Sequence, residues 1–567
     1  MTIKITEPSK MVEVHLSDGR TLCGPRGTSV EKFIKTLDAQ SGAPIVAAIV
    51  NGNLREMQYI IETESTLQPV LTSSADGARI YRRSLTFLLE FAFQQLFPKG
   101  MLTIDHSVGS GGYYCQVAGR EMLSADELKM LKKRMQAEVA SDLPFIREEI
   151  PIDDAIRYFK SLGHRDKISL LAYRQKNYLT LYRLGEHIDY HHGYMVPSTG
   201  YLRWFDLEVC EGGFVMRFPR RHKPTELLPM GSYPQLLNAF RRYGDWLAKL
   251  GFDSVGALNN AIKAGREQEI VLVSEALHEQ SVSEIARQIA ARQEDFRLVL
   301  IAGPSSSGKT TFSRRLTVQL LARGISPFPL ELDNYFVDRD KTPRDKKGNL
   351  DFEVLEALNL PLLAEHLQKL TQGKRVEMPK YNFKTGMSEA GEKLQLQKGQ
   401  IIILEGIHGM NPRLVPEVLR AQSFHIYVSA LTQLNLDRHN RVSTTDTRLI
   451  RRIVRDARER GYTAQNTISR WESVRRGEKR HIYPYQENAD IMFNSALAYE
   501  LAALKPFAEP LLRQVPYGTP ERIEAKRLLA FLEWFLPLDA NLVPENSIAR
   551  EFLGGSILKK FKWWQGK

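Results

Sequence analysis

Cysteine is scarce in this 567-residue chain and occurs only at Cys23, Cys115 and Cys210. Spacing this wide excludes a disulfide framework and a cysteine-rich zinc site, and it is typical of a reducing cytoplasm, where we expect the protein to reside. Long apolar runs are also lacking: stretches such as 44–50 and 298–302 are far too short to span a membrane. The opening residues MTIKITEPSK contain no apolar stretch, and we expect no secretory signal.

Positive charge, in contrast, is abundant and unevenly placed. The net charge is +12, and residues 437–480 alone hold 13 Lys and Arg against 6 Asp and Glu. Nucleic-acid binding would explain such a surplus. An arginine cluster that holds phosphate groups would explain it equally well, so net charge alone leaves both classes of ligand open.

The chain is too long for a single hydrophobic core. The predicted fold class is α/β, with a C-terminal parallel-sheet segment preceded by two α+β segments. Turns at Asp18-Gly19 and Asn51-Gly52, and a helix capped by Thr28 or Ser29, mark the first segment. The predicted divisions are a small α+β domain, a second α+β domain, a helical connector, the α/β domain and a C-terminal helical extension: 1–72, 73–225, 226–295, 296–500 and 501–567.

A glycine-rich stretch, GPSSSGKT at 303–310, fits the phosphate-binding pattern G-x-x-x-x-G-K-[ST] at every position. An apolar strand precedes it and a helix follows, as the motif requires. In such a loop the N–H groups surround phosphate, Lys309 adds a positive charge and Thr310 offers its hydroxyl to Mg²⁺. The residues predicted to bind ATP are Gly303, Ser305, Ser306, Ser307, Gly308, Lys309, Thr310 and Thr311.

Two carboxylates follow predicted strands. Asp333 comes after a strand that we expect to end at Leu332, and Glu405 ends the run IIILEG. Because ligands lie at the carboxyl ends of parallel strands, both should approach the loop. We predict that Asp333 takes the proton of an acceptor hydroxyl, with Lys309 as its catalytic partner. Thr310, Glu405 and Asp333 would form the metal shell; a loop acid or a helix cap is the alternative for each carboxylate.

The sequence TTDTRLIRRIVRDARERG places five arginines at helical spacing: Arg448, Arg451, Arg452, Arg455 and Arg458. Such a helix is typical of a lid that closes over a triphosphate and stabilises its charge. The alternative is a solvated helix face whose arginines pair with Asp456 and Glu459.

The motifs GPSSSGKTT, DNYF, DF, PKYNF, LEGIHG and DTRLIRRIVRDARERG, in this order, resemble the uridine kinase and phosphoribulokinase group of P-loop kinases over about 296–500. The resemblance implies ATP and Mg²⁺ as cofactors and Asp333 as the base for a sugar 5′-hydroxyl. It also implies Mg²⁺ near Thr310 and Glu405. The residues implied to face the acceptor are Asp351, Tyr381 and Arg451, and those implied to belong to the lid are Arg455 and Arg460.

The chain departs from that family where the base of the nucleoside is read. A family histidine after the Tyr-x-Phe motif is replaced by the stretch Lys384-Thr385-Gly386. Tyr462 and Arg470 stand where the family has an arginine and a glutamine. The acceptor is therefore open to another nucleoside or another small alcohol.

The N-terminal part resembles threonyl-tRNA synthetases. VEVHLSDGRTLCGPRGTS and AAIVNGNL are similar to their TGS domain, and GSGGYYCQV and MVPSTGYLRWFDL to their editing domain. Arg83 and Phe87 replace the editing histidine pair, while His191 and Met195 stand at its cysteine and second histidine positions. We therefore predict a binding or regulatory module rather than a hydrolase.

Three histidines, His187, His191 and His192, lie close together in this part of the sequence. A metal site is one interpretation. Surface or loop histidines are the favoured one, because no carboxylate or cysteine accompanies them at motif spacing.

The leading functional hypothesis is ATP-dependent phosphorylation of a nucleoside or similar alcohol, as in the bacterial nucleoside kinases that this combination of domains resembles. An RNA- or ribosome-associated NTPase switch is the second hypothesis, supported by a pI of about 9.3. A sugar-phosphate kinase is the third, and it would need a second basic pocket. Expected partners are ATP, a small hydroxyl-bearing acceptor, and an RNA or nucleotide regulator at the N-terminal module; no membrane is expected, and a homo-oligomer stays open.

Overall fold

A computed structural model describes residues 9–37, 42–292, 294–345, 348, 350–382, 384–397, 399–432 and 434–561. The outer ends of the first and last predicted segments, 1–8 and 562–567, lie outside the described residues. Within the described ranges, no helix combines the length and apolar character needed to cross a membrane.

The first unit is a five-stranded sheet with one short helix. Its turns follow the sequence: Gly19 has φ +89°, and Asn51 and Gly52 both have positive φ, as a tight hairpin requires. Ser29 is the N-cap of the helix, although its side chain makes no capping hydrogen bond. The sheet order is β2-β1-β7-β4-β5, and the elements are β1 (Met11–Leu16), β2 (Thr21–Pro25), β3 (Thr28–Ser29), α1 (Val30–Lys35), β4 (Ile45–Val50), β5 (Asn53–Arg55), β6 (Ile60–Ile61) and β7 (Ser65–Leu71).

The second unit packs a long helix against a four-stranded antiparallel sheet and adds a three-stranded sheet, with orders β13-β14-β9-β8 and β10-β11-β12. The long helix begins at a Ser74 cap, whose side chain accepts from the Gly77 N–H. The elements are α2 (Ala75–Leu96), β8 (Met101–Val108), β9 (Gly112–Ala118), α3 (Ala125–Ala140), β10 (Ile146–Pro151), α4 (Ile152–Ser161), α5 (Arg165–Leu171), β11 (Tyr178–Leu184), β12 (His187–Asp189), β13 (Asp206–Cys210) and β14 (Gly213–Arg217).

Three helices connect this unit to a five-stranded parallel sheet of order β16-β19-β15-β20-β21. The connecting helices are α6 (Pro234–Leu250), α7 (Val255–Lys263) and α8 (Glu267–Ala291). The elements that follow are β15 (Leu298–Ala302), α9 (Lys309–Leu321), β16 (Pro327–Glu331), α10 (Leu360–Thr371), β17 (Val376–Asn382), β18 (Met387–Leu394), β19 (Ile401–Glu405), α11 (Glu417–Arg420), β20 (Ser423–Ser429), α12 (Thr444–Arg460), α13 (Ala464–His481), β21 (Ile491–Asn494), α14 (Glu500–Arg513), α15 (Pro520–Leu532) and α16 (Arg550–Leu553).

The parallel sheet is covered on both faces, as its apolar runs predicted. In the central strand, Val299 and Ile301 enter one core with the connecting and C-terminal helices, whereas Leu298 and Leu300 enter a second core with α10 and β17. The expected α/β class is confirmed. Strand β21 and the β17–β18 hairpin were not predicted, and the domain boundaries stay predictions.

A buried ion-pair network joins the second unit to the segment before α12. The fully buried Lys167 of α5 donates from Nζ to both carboxylate oxygens of Asp189, at 2.8 and 2.9 Å. The same Nζ lies 3.5 Å from Asp437 Oδ1. Burial alone would lower the pKa of Lys167, but the two carboxylates reverse this and hold it above its ordinary value.

His191 and His192 lie in the loop after β12, as the favoured interpretation allowed, but the histidines are not surface residues. His191 is buried, and its Nε2 lies 3.0 Å from Glu90 Oε1 on α2. The ring nitrogens of His439 and His187 lie 3.3 and 3.7 Å from Glu90 Oε2. Ligand atoms of Glu90, His187 and Asp189 fall within 4.8 Å of one another, so carboxylates do accompany the histidines. They come from distant parts of the chain, which motif spacing could not reveal.

Replacing Lys167 with methionine should destabilise the protein by about 3–5 kcal/mol, because two buried carboxylates would lose their shared cation. Urea unfolding of the full chain measures this loss. Lys160→Met, at an exposed position of α4, is the matched control and should change stability by less than about 0.5 kcal/mol. If both substitutions lowered the free energy of unfolding equally, a stabilising role of the ion-pair network would be contradicted.

Candidate active site

The backbone of the glycine-rich loop makes a close approach and adopts positive φ angles, and glycine residues allow both. A Cβ on Gly303 would lie 2.0 Å from the Val428 carbonyl oxygen, so only glycine fits there. Gly308 has φ +86° and caps α9. Ser306 has φ +57°, a conformation that costs a non-glycine residue about 1–3 kcal/mol and is frequent in ligand-binding loops.

The serine hydroxyls of this loop fit a phosphate ligand. Ser306 Oγ and Ser307 Oγ are buried, and neither has a hydrogen-bond partner among the described residues. Lys309 is 8% exposed, and its Nζ donates to the Pro304 carbonyl at 3.3 Å. Buried polar groups ordinarily find partners, so a ligand rich in acceptor oxygens suits this loop.

Carboxylates gather beside the loop at the ends of neighbouring strands, as predicted. Thr310 Oγ1 donates to Glu405 Oε2 at 3.1 Å. Burial, together with the negative charges of Asp333 and Glu331, raises the pKa of Glu405 to about 7, although Lys309 opposes the shift. Asp333 lies in the turn after β16.

Asp333 faces both the crevice and the charges of the loop and of α12. Its side chain is accessible to solvent, yet the surrounding protein raises the pKa of its carboxyl. The cations that act against this rise are Lys309, Arg460 and Arg455. Lys309 was predicted to act with Asp333, whereas Arg455 and Arg460 were assigned to the lid. The positive charges of all three act on the Asp333 carboxyl.

A divalent cation suits this group of oxygens. The negative charge of Asp333 adds to burial in raising the carboxyl pKa of Glu331 and of Glu405. The hydroxyl of Thr310 is hydrogen-bonded to Glu405. Mg²⁺ prefers oxygen ligands and is usually held by one or two carboxylates together with phosphate. The residues that would hold it are therefore Thr310, Glu405 and Asp333, with Glu331 as a neighbour that the sequence analysis missed.

The arginine helix α12 supports the loop from behind as well as facing the crevice. Arg448 Nε donates to the Ser305 carbonyl at 2.8 Å, and its guanidinium also pairs with Glu478. Arg452 Nη1 donates to Ser305 Oγ at 2.9 Å. Buried, paired arginines of this kind position the loop, which corrects the expectation that the whole helix is a movable lid.

Arg451 does not reach the crevice. It is fully buried, pairs with Glu500, and donates to the Ser495 carbonyl at 2.8 Å and to the Ser306 carbonyl at 3.4 Å. Arg451 therefore does not face the acceptor as expected, because its guanidinium lies behind the loop. Spacing along a helix could not separate the inward arginines from those that face the crevice.

The two arginines assigned to the lid share a buried carboxylate. Arg455 donates to Asp456 Oδ1 at 3.1 and 2.9 Å, and Arg460 Nη1 lies 3.6 Å from the same oxygen. Arg460 is half-exposed. The predicted alternative pairing with Asp456 therefore occurs, and it leaves both arginines on the side of the helix from which they influence Asp333.

The other residues assigned to the acceptor lie on either side of the turn after β16. Tyr381 of β17 is buried and meets Phe336 edge to face at 5.6 Å. The carboxylate of Asp351 accepts from the Glu353 N–H at 3.1 Å. Burial, followed by the charge of Glu478, raises the pKa of Glu353 to about 7. Glu353 is a candidate site residue that the sequence analysis missed.

A cavity of about 260 Å³ opens next to Thr310 and Glu405, between α9, β16 and the β17–β18 hairpin. Its lining includes Asn334, Tyr335 and Met378 but none of Asp351, Tyr381 and Arg451. The residues at the altered base-reading positions lie elsewhere: the Arg470 guanidinium stacks on the Tyr462 ring at 4.9 Å.

Glu551, a side chain from the C-terminal part of the chain, contacts the first turn of α9, directly after the phosphate loop. The N–H and Oγ1 of Thr311 donate to Glu551 Oε2 at 3.2 and 2.9 Å. Thr311 lies in the first turn of α9, where backbone N–H groups bind anions. Glu551 lies 240 residues away in sequence from Thr311, so no local motif could have predicted this contact.

Residues 298–501 match the Phosphoribulokinase / Uridine kinase family. They form a P-loop kinase domain of that family.

The N-terminal region matches threonine–tRNA ligases. That of Polaromonas sp. is 30% identical over 205 residues, and that of Laribacter hongkongensis is 32% identical over 205 residues; each match covers 36% of this chain and 32% of the relative. The chain therefore spans about a third of the length of the curated relatives it matches.

Two solved structures are similar to part of the chain. A possible uridine kinase from Bacillus stearothermophilus is 20% identical with a TM-score of 0.27, covering 38% of this chain and 97% of that one. A D-glycerate 3-kinase from Cryptococcus neoformans var. grubii is 15% identical with a TM-score of 0.21, covering 45% and 87%.

The positions that replace the editing residues are filled by structural side chains. Arg83 Nη1 donates to the Tyr194 carbonyl at 2.6 Å, and Phe87 is fully buried against His187 at 4.9 Å between ring centroids. Met195 is buried as well. A phenylalanine can neither bind a metal nor move a proton, and the binding or regulatory role of this module stays a prediction.

Replacing Glu551 with alanine should tighten ATP binding several-fold, because a carboxylate would no longer occupy donors of the loop or repel the triphosphate. Calorimetric titration of the full chain with a non-hydrolysable ATP analogue measures the change. Glu545→Ala, an exposed carboxylate six residues earlier, should leave the affinity unaltered. Weaker binding by the Glu551 variant, with an unchanged melting temperature, would contradict the competition.

Proposed function

We propose that the chain is an ATP- and Mg²⁺-dependent kinase that phosphorylates the 5′-hydroxyl of a nucleoside or of a similar small alcohol. The observation that carries this proposal is the position of Asp333, a carboxylate at the crevice beside Lys309, Arg455 and Arg460. A base next to phosphate-binding cations suits phosphoryl transfer, because it can orient an acceptor hydroxyl and take its proton.

The reaction follows from this arrangement. The loop amides and Lys309 hold the β- and γ-phosphates, and Arg455 and Arg460 face the charge that develops during transfer. Thr310 and Glu405 would hold Mg²⁺, which would neutralise charge at the phosphate oxygens. The acceptor oxygen bonds to the γ-phosphorus, the bond from that phosphorus to the β–γ bridging oxygen breaks, and the acceptor proton moves to Asp333. The products are ADP and a phosphate monoester.

The residues that would bind the acceptor define its identity less closely than the phosphate loop defines the phosphate donor. Lys384 and Thr385 are exposed where the family histidine would stand, and the Arg470–Tyr462 pair occupies the other base-reading positions. With these side chains in place of the family's base-reading residues, a nucleoside with relaxed base selection is the proposed acceptor. The N-terminal modules, in this proposal, bind a ligand and regulate the kinase rather than edit tRNA.

Asp333→Asn should lower the rate of phosphoryl transfer by about 10²–10⁴-fold, because the acceptor loses its proton acceptor. ADP release measured against a panel of nucleosides, with an unchanged affinity for ATP, tests this. Asp340→Asn, an exposed carboxylate nearby, is the matched control and should retain full activity. If no nucleoside or small alcohol raises ADP release above the level without acceptor, the proposal fails.

A further inference from the structure

Six cations meet where the second unit contacts the kinase domain, and we call this group the basic seam. Arg82 lies on α2, Arg441 lies just before α12, and the others come from α13 and from the segment after β14. The basic seam comprises Arg82, Arg220, Arg221, Arg441, Arg475 and Lys479. Its members act on one another: Arg475, Arg220 and Arg221 all lower the pKa of Lys479.

Negative charge is almost missing from the basic seam. Glu472 Oε2 lies 2.9 Å from Arg221 Nη1 and is the carboxylate that offsets the cations around Lys479. Arg82, Arg441, Arg475 and Lys479 form no ion pair within the described ranges of the chain. Six cations thus share one carboxylate in a partly enclosed place, where like charges repel strongly.

Three other buried or partly buried arginines of the protein, unlike most cations of the basic seam, form ion pairs with carboxylates. Arg448 pairs with Glu478, Arg451 with Glu500, and Arg527 with both Asp446 and Glu524. Each of these three arginines has a carboxylate partner, whereas most cations of the basic seam have none within the described part of the chain. From this contrast we infer that a ligand supplies the negative charge that the protein lacks at the basic seam.

Two buried guanidinium nitrogens of the basic seam lack a hydrogen-bond acceptor among the described residues. Arg82 Nε and Arg441 Nε are buried and have no hydrogen-bond partner among the described residues. Both guanidinium groups lie near aromatic rings, with Arg82 5.6 Å from the Phe218 ring and Arg441 5.0 Å from the Tyr113 ring. Stacked in this way, they keep planar N–H groups available for oxygen acceptors.

We propose that the basic seam binds a small molecule with two or more phosphate groups, such as a nucleoside polyphosphate, at a second site outside the kinase crevice. The unpaired Nε groups of Arg82 and Arg441 are donors suited to the oxygens of adjacent phosphates, and Lys479 adds a further positive charge. The enclosed position between two units, with aromatic rings alongside, favours a compact ligand over the extended backbone of an RNA strand.

The surrounding pKa values agree with a strongly positive site. Burial, then Arg475, Arg220 and Arg221, lower the pKa of Lys479 to about 7. Burial alone would raise the pKa of Tyr113, but Arg82 and Arg441 hold it below its ordinary value. A phosphorylated ligand would remove this repulsion and restore the proton on Lys479 at neutral pH.

Binding at the basic seam would reach the phosphate loop over a short path. Lys479 follows Glu478 directly on α13. Glu478 Oε1 accepts from the Ser305 N–H at 3.0 Å and pairs with Arg448. The seam ligand therefore binds the same helix turn that fixes the start of the phosphate loop.

Thermal unfolding of the full-length Lys309→Ala chain with inorganic tripolyphosphate tests the proposal, because that substitution weakens the competing site in the loop. Tripolyphosphate should raise the unfolding temperature, and additional Arg475→Gln or Lys479→Gln should weaken its binding at least tenfold. Arg480→Gln, an exposed arginine on the same helix, should keep the full shift.

Three results would overturn the proposal. The first is an equal shift from sulfate at matched ionic strength, and the second is an undiminished shift in the Arg475 and Lys479 variants. The third is binding of tRNA that depends on these residues while tripolyphosphate produces no shift, which would assign the seam to RNA. Without ligand, Lys479→Gln should be at least as stable as its parent, since it removes repulsion; a clear loss of stability would show a structural role instead.

Discussion

The candidate site depends on buried arginines that hold the phosphate loop by its carbonyl oxygens. Arg448 binds the carbonyl of Ser305, Arg451 binds that of Ser306, and each arginine is neutralised by a buried glutamate. The same support also holds a loop N–H group, because Glu478 accepts from the Ser305 N–H at 3.0 Å. Helix α12 is thus first a support for the loop and only at its far end a neighbour of the crevice.

This support links the kinase domain to both ends of the chain. The glutamates that neutralise the arginines come from α13 and α14, and the C-terminal Glu551 contacts the loop helix itself. On the other side, Lys167 and Glu90 tie the second unit to the segment that leads into α12. A signal that moves the N-terminal units would therefore act on the elements that position the loop.

Much of the architecture could be predicted because it follows from local patterns. The phosphate loop, the strand carboxylates Asp333 and Glu405, and the parallel sheet all arise from short runs whose chemistry is visible in sequence. The buried roles of Arg448 and Arg451 could not be predicted, because every arginine of α12 carries the same charge and only packing decides which turn inward. Glu551, Glu90 and the basic seam depend on contacts between residues far apart in the chain, which no motif spacing records.

The proposed activity is transfer of phosphate to an alcohol, in contrast to ATP hydrolysis that drives a conformational switch. Mass spectrometry of the products formed from ATP, Mg²⁺ and a nucleoside mixture distinguishes these two activities. We expect a nucleoside 5′-monophosphate in an amount equal to that of ADP. ADP accompanied only by inorganic phosphate, at the same rate with and without nucleosides, would contradict it.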